Sequence, residues 1–192
     1  MKHSNQSIRC DWPQEDPLMV AYHDDEWGVP LHDDQKLFEF LVLDTCQAGL
    51  SWKTILHKRE NYRKAFDQFN ANKIARYTER KIEKLMSDEG IIRNRQKIRA
   101  IVNNARSFLK IQRDCGTFDA YIWKFTNGAT KANAFKHAKN IPTKTRESQA
   151  MSKDLVGRDF SFVGPVICYA FMQAAGMVND HVIQCFRYKK CN

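Results

Sequence analysis

Residues 160–173 read FSFVGPVICYAFMQ. Phe162, Val163, Gly164 and Pro165 interrupt two helical patterns, TRESQAMSKDLVGRDF before them and GPVICYAFMQAAG after. Gly164 permits a backbone angle that other residues avoid and lets another chain approach closely. Pro165 suits the first turn of the second helix, where its missing N–H costs nothing. The free amides at that helix start can hold a phosphate oxygen. Taken alone, the segment is first an ordinary turn between two helices, because Gly-Pro turns are common.

The alternative is a helix-hairpin-helix, which grips one DNA backbone without reading bases. A rival turn sits at GIIRNRQK, where Arg93, Arg95 and Lys97 flank Gly90 and a helix start. Those cations either meet phosphates or form a solvated face. Outward from both turns the chain keeps a helical period, and alternating strand patterns are nearly absent. DDQKLFEFLVLDTCQAG places Leu37, Phe38, Leu41 and Val42 on one face. Ser51 can cap a helix with Trp52, Ile55, Leu56, Tyr62 and Phe66 on its apolar side. Thr78 can cap another that carries Ile82, Leu85 and Met86, and NRQKIRAIVNNARSFLKI and FDAYIWKF continue the pattern. Residues 126–145 have the weakest periodicity. The expected fold is all-α, a single domain over residues 1–192 built as two helical lobes.

The chain has 192 residues, with 31 Lys and Arg against 22 Asp and Glu, a formal net charge of +9. That charge suits a polyanion such as nucleic acid, and equally suits a basic soluble protein with no such partner. No apolar run approaches the roughly 20 residues of a membrane span, and the first ten residues lack the apolar core of a signal peptide. A soluble, cytoplasmic protein is expected, with its six cysteines reduced, buried or metal-bound.

Two constellations carry chemistry. In LDTCQAGLSW, residues 43–52, the apolar helical run meets a carboxylate, Asp44. It is either a helix-end surface charge or one wall of a pocket. In NDHVIQCF, His181 and Cys185 are four apart, so a helix would put both on one face. Cys10 and His23 lie near the other terminus. Two Cys and two His satisfy a closed tetrahedral zinc site, one zinc per chain, which would be structural and would tie the two ends together. Cys46, Cys115, Cys168 and Cys191 read as core residues, although Cys191 could compete with Cys185.

With these pieces placed, the sequence resembles the DNA-3-methyladenine glycosylase I family of helix-hairpin-helix glycosylases. The resemblance rests on CDW, DPLMVAYHDDEWGVP, KLFEFLVLDTCQAGLSW, ILHKRENYRKAFDQF, GIIRNRQKIRAIVNNA and FSFVGPVICYAFMQAAGMVNDHVIQC, from Arg9 to Cys185. It implies excision of 3-methyladenine from alkylated double-stranded DNA, in a bacterial-type, cytoplasmic monomer. It implies zinc on Cys10, His23, His181 and Cys185, and a base pocket from Tyr22, Trp27, Asp44 and Trp52, with Trp12 close by. It implies a wedge at Gly49 and Leu50 and a phosphate-binding hairpin at Phe162, Val163, Gly164 and Pro165. The chain departs from the family pattern at Asp44, where glutamate is usual, at Thr45 and Cys46, where a glycine and a larger side chain are common, and at Met19, where some members have tyrosine.

A base that carries a positive charge is attracted to aromatic faces, Trp above all, and a carboxylate can accept a hydrogen bond from its amino group. Without the resemblance, Trp27 and Trp52 would read as core. Related lyases place a lysine early in the helix after the hairpin, and residues 162–173 contain none. The expectation is therefore a monofunctional enzyme. Asn179 and Asp180 follow that helix and receive no role. The alternative is a non-enzymatic helix-hairpin-helix DNA-binding protein, with excision weakened by the short reach of Asp44.

Overall fold

The computed structural model describes residues 8–191. At its centre lies Asp34–Gln47, α2 once Pro17–Asp25 is counted as α1. Asp33 caps α2 by accepting from the Lys36 N–H. The sequence pattern suggested a helix with one apolar face. Instead every residue from Leu37 to Cys46 is buried. Neighbours on several sides explain this, because α2 packs against Trp52–Ala65 (α3), Arg95–Cys115 (α6), Phe118–Trp123 (α7) and Pro165–Ala174 (α9). Glu39, Asp44 and Thr45 are thereby drawn into the interior with their apolar neighbours. The helix also does not stop at Asp44 but continues to Gln47.

The surrounding helices follow their patterns closely. Ser51 caps α3 by accepting from the Thr54 N–H, and Ile55, Leu56 and Tyr62 face the core. Ala71–Ile74 forms α4 and Glu79–Met86 forms α5, with Ile82 and Leu85 inside. Thr78 occupies the cap position of α5, but its side chain makes no capping hydrogen bond. Asn94 caps α6, which buries Ile98, Ile101, Val102, Ala105 and Phe108. Arg146–Gly157 (α8) and α9 form the expected pair, packed on each other. The sequence reading left α1 unassigned, yet Asp16 accepts from the Leu18 and Met19 amides and Pro17 opens the helix.

Two local expectations fail. Gly164 has φ −60° and ψ 162°, an ordinary extended backbone, and the left-handed angle falls on Phe162, at φ +57°. A Cβ on Gly164 would meet nothing within 4 Å. The second failure is the helix for His181 and Cys185, which sit in turns. Val178–Asn179 pairs in parallel with Lys131–Ala132. The Asn179 Oδ1 then accepts from the His181 N–H at 3.2 Å, and the side chain of Asp180 is held by three donors. The strand pairing and the Asn133–Asp180 bond are nonlocal, and they hold this segment in a form other than helix. Among the described residues, no helix is long and apolar enough to cross a membrane.

Candidate active site and metal centre

A cavity of about 330 Å³ opens between the C-terminal halves of α2 and α9. Asp44 and Gln47 from α2, Tyr22 from α1 and Trp12, Trp27 and Trp52 form its walls. Ala170, Gln173 and Ala174 from α9 add a surface of mostly small side chains, and Ala138 and Ile141 stand at the rim. The rings support one another: Tyr22 lies 5.0 Å from Trp52, and Trp12 lies 5.2 Å from Trp27. All five residues named from the sequence for a base pocket therefore meet here.

Buried polar groups normally find hydrogen bonds. Three that do not, Asp44 Oδ2, Trp12 Nε1 and Trp52 Nε1, belong to residues of this one cavity. Asp44 is 2% exposed, and burial raises its carboxyl well above the ordinary range. Burial, and then the Asp44 charge, raise the Tyr22 phenol. The site thus offers two indole donors and one carboxylate acceptor without partners, in an aromatic enclosure. Such an enclosure can accept a flat, polar-edged ring, and Asp44 when ionised would oppose a cation there.

Side chains that the sequence reading missed form two polar networks, one lining a neighbouring groove and one against the cavity wall. Glu39 accepts from Arg59 Nε at 2.6 Å and from Arg63 at 2.7 Å, while Arg59 also reaches Glu26 at 2.8 Å and lies 5.4 Å from the Phe40 ring centre. Asp180 accepts from the Tyr169 hydroxyl at 2.6 Å, from Gln173 Nε2 at 2.7 Å and from Asn133 at 2.8 Å. It fixes Gln173 on the cavity wall. Nothing in a single sequence marks these bonds, since their partners lie up to 47 residues apart.

Helix α6 grips the turn that ends α2 and the turn before α9. Lys97, expected on a phosphate-facing or solvated surface, is only 6% exposed. Its ammonium donates to the Cys46 carbonyl at 2.7 Å and the Ala48 carbonyl at 2.5 Å, closing the end of α2. Just beyond, Gly49 has φ +77° and Leu50 is 40% exposed. Asn104, two turns along α6, donates to the Ser161 carbonyl at 3.0 Å and accepts from the Ser161 N–H at 2.8 Å, beside Phe162–Pro165. The rival turn at Gly90 keeps its other cations in ion pairs, Arg93 with Glu89 and Arg95 with Glu83.

Behind the aromatic wall, Cys10, His23, His181 and Cys185 are buried with their ligand atoms all within 4.8 Å of one another. The Cys185 sulfur lies 3.4 Å from His23 Nε2 and 3.5 Å from His181 Nδ1, and the Cys10 sulfur lies 3.6 Å from His181 Nδ1. Tetrahedral coordination with ordinary zinc–sulfur and zinc–nitrogen bonds implies sulfur–nitrogen edges of about 3.6 Å. The outer ring nitrogens are also engaged, His23 Nδ1 with Asp24 at 2.7 Å and His181 Nε2 with the Trp27 carbonyl at 3.0 Å. A carbonyl only accepts, so His181 Nε2 carries the proton and Nδ1 presents its lone pair inward. These four residues can hold a metal ion. Cys191 is buried but outside the group. His181 stacks edge-on to Trp27 at 4.6 Å, so the cluster also braces the cavity.

Residues 12–188 match the family model described as methyladenine glycosylase. The chain is 50% identical over 180 residues to DNA-3-methyladenine glycosylase 1 of Escherichia coli K12, covering 94% of this chain and 96% of that protein. A crystal structure of a 3-methyladenine DNA glycosylase I superposes with a TM-score of 0.92 at 49% identity, over 93% of this chain and 98% of the other. A substituted 3-methyladenine DNA glycosylase I in complex with 3-methyladenine superposes with a TM-score of 0.90 at 39% identity, over 93% and 96% of the two chains. With its aromatic cavity, buried carboxylate and full-length likeness, this chain belongs to the methyladenine glycosylase family.

Proposed function

We infer that this protein is a monofunctional DNA glycosylase that flips 3-methyladenine out of alkylated duplex DNA and hydrolyses its bond to the sugar. The observation that carries the inference is the aromatic cavity with the unpartnered Asp44 carboxylate in its wall. The methylated base is cationic, so its glycosidic bond is already weak. When the N9–C1′ bond breaks, its electron pair neutralises the base. A water oxygen bonds to C1′ and gives up a proton to solvent. No strong acid is needed to protonate the leaving group.

Asp44 accepts from the exocyclic amino group and opposes the positive charge, and the Tyr22, Trp27 and Trp52 faces attract the cation at roughly 0.5–2 kcal/mol each. Trp12 closes the same wall. Extrusion costs a few kcal/mol, which Leu50, projecting after Gly49, offsets by filling the vacated stack. Phe162, Val163, Gly164 and Pro165 hold one phosphate at the free amides of α9. Zinc is the metal that suits Cys10, His23, His181 and Cys185, with a closed coordination shell and a structural role. The absence of lysine in residues 162–173 supports hydrolysis without strand cleavage. Asp180 is a positioning residue through Gln173.

The test is release of free base from methylated duplex DNA, resolved by chromatography. The second reading, a DNA-binding protein without excision, rests on Asp44, whose side chain is about 1.5 Å shorter than glutamate. Tight abasic-DNA binding with no released base would favour it.

A further inference from the structure

The 27 residues from 120 to 146 contain six Lys and Arg side chains and no carboxylate. Two of the six are paired with acids from α8, Lys124 with Asp154 and Lys131 with Glu147. The other four, Lys136, Lys139, Lys144 and Arg146, are exposed and have no ion pair among the described residues. An ordinary solvated face intersperses both signs, as the rival turn at Gly90 does with Arg93–Glu89 and Arg95–Glu83. This stretch instead concentrates like charges, an arrangement that a polyanion stabilises.

Its position is specific. Ala138 and Ile141, within the same stretch, stand at the rim of the base cavity. The segment has little core of its own, yet it is laced to the chain around the metal cluster. Lys131 N–H donates to the Met177 carbonyl, Asn133 N–H to the Asn179 carbonyl, and Phe135 O accepts from the Ile183 N–H. The strap is pinned over residues 131–135, immediately before its first unpaired cation, Lys136. It ends where α8 begins, and α8 runs back along α9 to the hairpin turn. The 12 residues of α8 span about 18 Å at roughly 1.5 Å per residue. That is about five steps of a DNA strand at roughly 3.4 Å each.

We propose that residues 131–146 form a second phosphate-binding surface, which holds the DNA backbone on the side of the flipped nucleotide away from the hairpin. It deepens the glycosylase reading and rests on it. Two backbone grips about five steps apart bracket the extruded nucleotide, so that the duplex is held on both sides of the gap. Exposed lysines read charge and not sequence, so this surface contributes affinity without base preference.

The experiment measures binding to duplex DNA with a stable abasic analogue as a function of salt. Lys136→Gln, Lys139→Gln and Lys144→Gln are combined in one variant. Each phosphate contact contributes about 0.9 to the slope of log affinity against log salt. The variant should therefore lose about 2–3 from the magnitude of that slope. A control combines Lys64→Gln, Lys81→Gln and Lys84→Gln, the same charge change in a groove by Ala65, about 20 Å along α3 from Trp52. Its slope should change by less than about 1. A strap variant within about 0.5 of the wild-type slope, or a control that falls equally, overturns the proposal. Binding is read independently of excision. A wild-type protein that releases no base removes the glycosylase reading, whereas an active one with an unmoved slope removes only the strap.

Discussion

Asp44→Asn should make the protein more stable and less active at once. The carboxyl is fully buried, one oxygen has no partner, and burial raises its pKa. A carboxyl raised in the fold contributes stability that is full below the ordinary carboxylate pKa and is lost as pH rises through the folded value. The ionised group is therefore a cost to the apo fold that a neutral isostere removes. An unpaired amide is itself unfavourable, so the net gain is about 1–2 kcal/mol. At roughly 2–4 °C per kcal/mol for a domain of this size, Tm should rise by about 2–8 °C at pH 8. Near pH 4 both side chains are neutral and the difference should vanish. Excision should move the other way. A hydrogen bond to a charged group is worth about 1.5–3 kcal/mol, so single-turnover release of 3-methyladenine should fall roughly 10- to 150-fold, while affinity for abasic DNA stays within about twofold. Wild-type excision should also rise with pH through the raised Asp44 value, a limb absent from the variant. Asp44→Glu extends the carboxylate into open cavity space and should retain or raise activity. Undiminished excision by Asp44→Asn, or a lower Tm at pH 8, would refute this account of the site.

Lys97→Met leaves the Cys46 and Ala48 carbonyls without their donor and frees the turn that carries Leu50. Excision from duplex DNA should fall at least tenfold while binding of free 3-methyladenine stays within about threefold; equal losses in both would assign Lys97 to the pocket. Gly164→Val should weaken abasic-DNA binding with Tm unchanged, because the site has an ordinary φ and open space around the added carbon. Unchanged affinity would place the phosphate grip elsewhere. Metal analysis should find about one zinc per chain in the wild type and a marked loss in Cys185→Ser, and a metal-free wild type of full stability would exclude the site. Borohydride treatment during reaction on methylated DNA should trap no covalent adduct, and a robust adduct would end the monofunctional assignment.

The local pattern of apolar residues determined most of the helices. The periods in 51–66, 94–111 and 145–160 became α3, α6 and α8, because an amphipathic stripe is a property of a few neighbouring turns. The metal quartet was legible too, from ligand type and from the spacing of His181 and Cys185, although turns and not a helix bring that pair together. The resemblance, resting on long motifs, named the five residues that meet in the cavity. What the tertiary structure decided concerns polar groups. The same segment that predicted a surface cation in Lys97 delivers a buried cap, because two carbonyls some 50 residues away accept its protons. Asp180 receives no role from the sequence, and the fold surrounds it with three donors that make it a brace. Asp44 is the reverse, a carboxylate buried all round by helices on several sides and left one oxygen short. An apolar side chain is committed by its own transfer out of water, which sequence reveals. A charged one is committed by whichever distant partner meets it, and only the folded chain supplies that.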